Sequence, residues 1–332
     1  MQGQAGTVST NGIRAPLSVA PMLDWTDNAC RHFHRLVAPG AVLYTEMVHA
    51  NAILHGPRER LLAKDATQHP VALQLGGSDP DTLAAAARIG AESGFDEINL
   101  NCGCPSDRVQ SGQFGACLML QPQRVADCVA AMRDAIAVPV TVKCRLGVDT
   151  QDEYAVFARF IDTVAAAGCD HFVVHARNAW LQGLSPKENR EVPPLRYDWA
   201  YRLKQERPDL FISLNGGIRE AADIATHLQQ VDAVMLGRLA YHEPYALHQI
   251  DANLFGRPVQ SRHQLLAAYR PYVGAQVEQG VRLSVLIKPI LGLFAARRGG
   301  RAFRQILSEN AHRPGAGLDV LDAAAAVTDT TD

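Results

Sequence analysis

Among the residues of this chain that can do chemistry, one thiol occupies a loop position suited to proton transfer. Cys104 lies in the run from Asn99 to Pro105, after an apolar strand and before a glycine-punctuated loop that ends at Gly115. A thiol on such a loop can give or take a proton. The other cysteines are interpreted as buried structural residues, the usual role of free cysteine, and Cys102 as a spectator. The spacing Cys102-x-Cys104 is not that of a zinc or redox pair, so no metal site is expected.

Amide, cationic and imidazole side chains end several other predicted strands. Gln74 lies on the third strand, Lys143 closes the fifth and His175 closes the sixth. Small-residue turns whose N–H groups can face an anion follow strands seven and eight. These turns, and the residues that follow the first strand, are Asn215, Gly216, Gly217, Gly237, Arg238, Pro21, Met22 and Leu23. The set favours a flavin, with its pyrimidine edge at the amide and cation and its phosphate at the turns. A solvated lysine and a hydrogen-bonded structural histidine are the alternatives.

The elements that must position these residues alternate between short strands and helical patterns. The predicted strands are Leu17–Met22, Val42–Met47, Val71–Leu75, Glu97–Asn101, Val140–Lys143, Phe172–His175, Phe211–Asn215 and Ala233–Leu236. Eight strand–helix units predict an α/β fold, a (β/α)8 TIM barrel, in which active-site residues meet at the carboxyl ends of the strands. A doubly wound open sheet is the alternative, but no G-x-G-x-x-G follows the first strand.

Composition excludes several classes of protein. The 332 residues are 47% hydrophobic and 20% charged, which is typical of a globular chain and not of a disordered or fibrous one. The sequence has no apolar run long enough to span a membrane. Met1–Thr10 has no basic residue followed by an apolar run, so no secretory signal is visible. Reduced thiols in the cytoplasm are therefore expected.

The strand pattern stops after Phe255, which predicts three regions: a catalytic barrel at 1–254, a helical domain at 255–314 and a disordered tail at 315–332. Helices are predicted at Arg262–Tyr272, Gly280–Arg297 and Ala302–Asn310. The segment from Gly256 to Arg313 contains ten Lys/Arg and two acidic residues, a formal charge of +8. Such a basic module suits a phosphodiester backbone, and a solvated face is the alternative.

The motifs of this chain resemble those of the tRNA-dihydrouridine synthases, most closely the A subfamily. The matching runs are Ala20–Asp27, Tyr44–Met47, Asn99–Met119, His175–Arg177 and Leu184–Arg190. The resemblance covers roughly residues 16–310, and no departure is found at the motif positions.

The resemblance implies a barrel with FMN at its mouth and a C-terminal helical domain that grips tRNA. Reduced FMN, regenerated by NADPH, would pass hydride to C6 of a D-loop uridine at positions 20 and 20a, while Cys104 protonates C5. The FMN-binding positions would be Pro21, Met22, Leu23, Gln74, Lys143, His175, Asn215, Gly216, Gly217, Gly237 and Arg238. The tRNA-facing positions would be Asn101, Lys187, Arg190, Arg297, Arg298 and Arg301.

Two other functions compete with this interpretation. A flavin barrel oxidoreductase of the dihydroorotate or enoate type, acting on a free small molecule, would need no basic helical domain. A non-catalytic RNA-binding barrel protein would need neither Cys104 nor the flavin residues. The expected protein is a monomer without membrane association or an obligate protein partner, and its tRNA orientation and NADPH over NADH preference stay open.

Overall fold

Eight strands close into a barrel in the order β1 to β8. The structure is a computed structural model that describes residues 13–106 and 112–329. The strands are β1 (Leu17–Val19), β2 (Val42–His49), β3 (Val71–Gly76), β4 (Glu97–Cys102), β5 (Val140–Cys144), β6 (His171–His175), β7 (Phe211–Asn215) and β8 (Ala233–Leu236). The predicted (β/α)8 barrel is confirmed, although β1 ends at Val19 and not at Met22.

Side chains alternate between the two faces of β4. Ile98 and Leu100 are buried and alternate with Glu97, Asn99 and Asn101, as the two-residue period of a strand requires. The apolar face packs tightly beneath a helix, because a side chain at Gly90 would meet Leu73 at 2.6 Å and Ile98 at 2.9 Å. The polar residues therefore face the barrel interior, where β4 pairs in parallel with β3 and β5.

Helices connect the strands and follow the last one. Their bounds are α1 (Asn28–Val37), α2 (Ala50–His55), α3 (Arg58–Leu61), α4 (Pro80–Glu92), α5 (Pro122–Ala135), α6 (Tyr154–Ala166), α7 (Tyr197–Glu206), α8 (Ala221–His227), α9 (Arg238–His242), α10 (Pro244–Phe255), α11 (Arg262–Glu278), α12 (Leu283–Leu286), α13 (Gly300–Asn310) and α14 (Leu318–Ala325). Short 3-10 helices lie at Ala66–Gln68, Gly115–Leu120, Glu188–Arg190 and Lys288–Ile290. Helix α4 has favourable residues at its start: the Asp79 side chain accepts the Thr82 N–H, and Pro80, which needs no N–H partner there, occupies the first turn.

The chain divides into two compact units. The first contains the segments up to Ser18, Met47–Ala63 and Pro70–Met235, and the second contains Val19–Glu46, Lys64–His69 and the chain from Leu236 onward. The first unit thus contains most of the strands, and the second contains the C-terminal helices. The domain boundary expected at residue 254 stays a prediction.

Aromatic rings form much of the core of the second unit. Phe33 of α1 lies 5.0 Å from the Tyr269 ring of α11, and Phe294 lies 4.8 Å from Phe303 of α13. Both phenylalanines on the helices are completely buried. The Tyr269 hydroxyl donates to the carbonyl of Leu286 at 2.9 Å, so the buried phenol is paired.

Two predicted features of the C-terminal region are wrong. The expected helix at Gly280–Arg297 is only α12 followed by a 3-10 turn, because Pro289 has no N–H to donate and Gly292 packs against the His242 carbonyl too closely for a side chain. The expected disordered tail instead contains α14. Its alanines favour helix, Leu321 and Ala324 are buried, and Asp322 pairs with Arg270 at 2.8 Å. Residues 330–332 of that tail lie outside the described residues.

Candidate active site

The thiol at the rim is held by an asparagine on the strand that precedes it. Asn101 Oδ1 accepts the backbone N–H groups of Gly103 at 3.1 Å and Cys104 at 3.0 Å. Asn101 Nδ2 in turn donates to Gln74 Oε1 at 2.8 Å. Cys104 is partly exposed, with Sγ at 3.5 Å from Ser106 Oγ. The amide of β3, the amide of β4 and the backbone of the loop that carries the thiol are therefore one connected group. Loop residues 107–111 lie outside the described chain.

Cys102 differs sharply from Cys104 although only one residue separates them. It is completely buried on the outer face of β4. Burial raises the pKa of its thiol well above the ordinary value. Cys102 therefore stays protonated and inaccessible.

A lysine and an asparagine form the next part of the rim. Lys143 pairs in register with Asn101 across β4 and β5, and its Nζ donates to Asn215 Oδ1 at 2.9 Å. Asn215 Nδ2 donates to the Met235 carbonyl at 2.7 Å, which fixes the orientation of the amide. Burial, and secondarily the charge of Arg145, lowers the pKa of Lys143 to about 8. The amine is thus a cation at neutral pH, and the group that accepts its hydrogen bond is the neutral amide of Asn215.

His175 presents a neutral imidazole at the end of β6. Burial, together with the neighbouring cations Arg145 and Lys143, holds its pKa well below the ordinary value. Its Nδ1 is buried and has no hydrogen-bond partner among the residues that the structure describes. Gly216 faces this ring with a φ of +108°, and a side chain there would come within 3.1 Å of His175 Nε2. A glycine is required here by backbone conformation and by space.

Arg145 lies at the rim beside Lys143, where the sequence places it at the end of the fifth strand without indicating a role. Its buried guanidinium donates to the carbonyls of Gly103 at 2.8 Å, Asn178 at 3.1 Å and Asn189 at 2.9 Å. Burial lowers its pKa to about 10. It thereby ties the loop before Cys104 to the connection between β6 and α7. The only sequence signal was its place two residues after Lys143.

A tight turn follows β1 within the second unit. The Met22 N–H donates to Thr26 Oγ1 at 3.0 Å, and the Asp24 N–H donates to Glu46, which lies on β2. Asp24 adopts a left-handed conformation with a φ of +64°. A side chain at Gly237 would lie 3.9 Å from Met22 Sδ, so the turns after β1 and β8 are neighbours. The structure therefore brings Met22 close to Gly237, while the positions of Pro21, Leu23 and Arg238 at the rim stay a prediction.

Five of the six residues expected to face tRNA are exposed, within their separate units. The sixth, Asn101, is buried, and its amide bonds Gln74 and the Cys104 loop. In the first unit, Lys187 and Arg190 are exposed beside the buried Asn189, whose side chain bonds the Trp180 backbone in both directions. In the second unit, the exposed arginines of the α13 region are Arg297, Arg298 and Arg301.

The basic segment is partly neutralised by acids outside it. Arg257 pairs with Asp251 and Arg270 with Asp322, each at 2.8 Å. The formal charge of +8 therefore overstates the charge available to a ligand. Arg297, Arg298 and Arg301 are exposed, so they are among the cations of this segment that a ligand can reach.

The fold and the rim define a class of protein. It is a (β/α)8-barrel protein whose rim offers amides, a cation, an imidazole and a thiol, an arrangement that can bind a planar heterocycle with negative charge and deliver a proton to it. The described residues contain no group of three or more His, Cys, Asp or Glu side chains able to hold a metal ion. None of the described helices is long and apolar enough to cross a membrane.

Comparison with known proteins identifies the family. The family model of dihydrouridine synthase matches residues 18–329, and the chain belongs to this family. A curated relative from Xanthomonas campestris pv. campestris, named tRNA-dihydrouridine(20/20a) synthase, is 67% identical over 94% of this chain and 93% of its own length. Relatives of the same name from Xanthomonas axonopodis pv. citri and Vibrio parahaemolyticus are 65% and 53% identical, covering 98% and 93% of this chain and 98% and 96% of their own.

A solved structure shares the fold at low identity. A 2-naphthoyl-CoA reductase in complex with 2-naphthoyl-CoA superposes with a TM-score of 0.55 and 11% identity, covering 73% of this chain and 50% of the reductase. At this identity the likeness concerns the fold alone.

Proposed function

We propose that this chain reduces uridine to 5,6-dihydrouridine at positions 20 and 20a of tRNA, with FMN as cofactor and NADPH as reductant. The name that the curated relatives share supports the substrate, at identities of 53–67% over nearly the whole chain. The observation that carries the proposal is the seating of Cys104. Its backbone is bonded to Asn101, and its thiol is the accessible one of the Cys102 and Cys104 pair at the barrel rim.

The residues of the rim fit FMN. A buried imidazole nitrogen of His175 without a described partner is available to a polar group, and Gly216 leaves the adjoining space open. Lys143 supplies a cation and Gln74 an amide, which suit the polar edge of the isoalloxazine ring. The turns at Asn215–Gly217 and Gly237-Arg238 would hold the phosphate, and Pro21, Met22 and Leu23 would lie against the ring system.

In the proposed reaction, Gln74, Lys143 and the two turns would hold FMN, which in its NADPH-reduced form would supply the hydride that C6 of the uracil needs. Cys104 gives the proton that C5 needs, so the double bond gains one hydride and one proton. Lys143, charged below about pH 8, stabilises negative charge that develops beside it. Asn101 keeps the Cys104 backbone in place while the proton leaves Sγ.

In this scheme, positive charge on the protein binds the tRNA, and the target base must leave the folded D-loop. A uridine in a folded D-loop must leave its stack to reach a barrel rim. Lys187 and Arg190 on the first unit, and Arg297, Arg298 and Arg301 on the second, would contact phosphates, which give affinity but no sequence information. One chain carries every residue in this scheme, so we propose a monomer that acts on cytoplasmic tRNA.

Two measurements on the purified protein test this proposal. Its absorbance should show one FMN per chain, and with NADPH it should form dihydrouridine in unmodified tRNA but not in free uridine. A colourless protein that cannot be reconstituted with FMN contradicts the cofactor. Turnover of a free small molecule, with no action on tRNA, contradicts the substrate.

A further inference from the structure

A continuous row of hydrogen bonds runs through the interior of the first unit from below the rim to the catalytic loop. At its lower end the Thr141 hydroxyl donates to Glu97 Oε1 at 2.6 Å. Asn99 Nδ2 donates to Thr141 Oγ1 at 2.8 Å, and Gln74 Nε2 donates to Asn99 Oδ1 at 2.8 Å. Asn101 Nδ2 then donates to Gln74 Oε1, and Asn101 Oδ1 accepts from the Cys104 loop.

The members of this row are buried, so water cannot replace a missing link. Glu97, Thr141 and Gln74 are each 1% exposed and Asn99 is 0% exposed. A buried amide that loses its partner bears the full cost of desolvation. Each bond therefore depends on the next one being made.

The direction of the row is set at its upper end. There the backbone N–H groups of Gly103 and Cys104 can only donate, so Asn101 must present its oxygen to them. At the lower end, the Thr141 hydroxyl donates to Glu97 Oε1 and accepts the bond from Asn99. Below Asn101, an amide flip at Gln74 or Asn99 would set donor against donor or acceptor against acceptor.

A histidine lies next to the other carboxylate oxygen of Glu97. His171 Nδ1 lies 3.9 Å from Glu97 Oε2, but burial lowers the pKa of His171 to about 3, so the ring is neutral at neutral pH. Its Nε2 bonds Ser213 Oγ at 2.9 Å. Ser213 therefore lies on the far side of His171 from the row.

We propose that Glu97, Thr141 and Asn99 are positioning residues that set which atoms Gln74 and Asn101 present at the active site. The row holds the donor end of Gln74 toward Asn99 and its oxygen toward Asn101, and it holds Asn101 Oδ1 on the backbone of the catalytic thiol. The inference rests on the proposed function for the identity of the ligand, and on the hydrogen bonds alone for the seating of Cys104.

Thr141→Val tests the row because valine keeps the shape and removes both bonds. We expect amide hydrogen exchange in the peptide containing Gly103 and Cys104 to become about tenfold faster in the apoprotein. We also expect the dissociation constant of FMN to rise about tenfold. Thr141→Ser, which keeps the hydroxyl, should restore both values. If Thr141→Val does not fold, Asn99→Ala interrupts the row one link nearer the rim and is measured in the same way.

Ser213→Ala is the matched control, because it removes a buried hydroxyl hydrogen bond outside the row. It should leave both measurements as in the unchanged protein. The proposal is overturned if Thr141→Val matches the unchanged protein, or if Ser213→Ala reproduces its effects. Hydrogen exchange needs no cofactor, so an unchanged protein that fails to bind FMN refutes the proposed function while the exchange rates still decide the role of the row.

Discussion

The interior of strands β4 and β5 and the helical core of the second unit are equally buried, but they are built from opposite kinds of residue. In the first region Glu97, Asn99 and Thr141 are at most 1% exposed, and in the second Phe303 and Leu307 are 0% exposed. Apolar contacts have no direction, so the helical core needs volume more than orientation. Amides and hydroxyls need a partner for each atom, so the strand interior specifies orientation. The first region arranges atoms for chemistry, and the second supplies stability.

The largest expected effect is on the rate of the reaction, and it comes from a substitution at the rim. Cys104→Ala should lower dihydrouridine formation by about 10²–10⁴-fold, because it removes the proposed acid. Flavin reduction by NADPH should persist, since that step does not use the thiol. Single-turnover assays of each half-reaction measure the two rates. Cys102→Ala is the control, and equal loss in both variants would refute the division of roles between the two thiols.

In the helical core, a substitution is expected to lower stability and to leave FMN binding unchanged. Phe303→Ala should lower the free energy of unfolding by about 3–5 kcal/mol, because it leaves a cavity beside Phe294. Below the new melting temperature the protein should still bind FMN with unchanged affinity. Denaturant unfolding and flavin titration measure the two quantities. A weakened FMN affinity in the folded variant would show that the two regions are not separable.

A surface substitution on the second unit tests binding without touching either interior. Replacing Arg297, Arg298 and Arg301 together with Ala should weaken tRNA binding and flatten its log–log salt dependence by about one unit per lost contact. The flavin spectrum should not change. Filter binding across a salt series gives the slope, and an unaltered slope would mean that tRNA follows another path.

The smallest expected effect is a pH dependence at Lys143. Its pKa of about 8 means that the amine loses its charge as pH rises through that value, so FMN affinity should fall several-fold from about pH 7 to about pH 9. Stability should move the other way: the unfolded chain binds this proton more tightly, so the contribution of Lys143 to stability rises with pH above about 8. Lys143→Met should abolish both trends, as flavin titration and unfolding across pH would show.

Residue pattern predicted the barrel and the rim because both depend on local properties. Buried parallel strands are short apolar runs, and their carboxyl ends share one edge, so Gln74, Lys143 and His175 could be placed together. The interior row could not be predicted in this way, since Asn99 and Thr141 become neighbours only through the register of β4 and β5. Arg145 could be placed at the end of the fifth strand, but its role could not be predicted, because its partners are backbone carbonyls, which leave no mark in the sequence.

The connection between β6 and α7, residues 176–196, is long and largely exposed, yet buried hydrogen bonds hold its backbone in place. Asn189 bonds the Trp180 backbone at both its N–H and its carbonyl, and Arg145 holds the carbonyls of Asn178 and Asn189. A protease must draw an extended stretch of chain into its own cleft, and exposed loops usually provide one. This loop can become extended only after the hydrogen bonds of Asn189 and Arg145 break. Length and exposure therefore make it look vulnerable to limited digestion, while its internal bonds make it resistant.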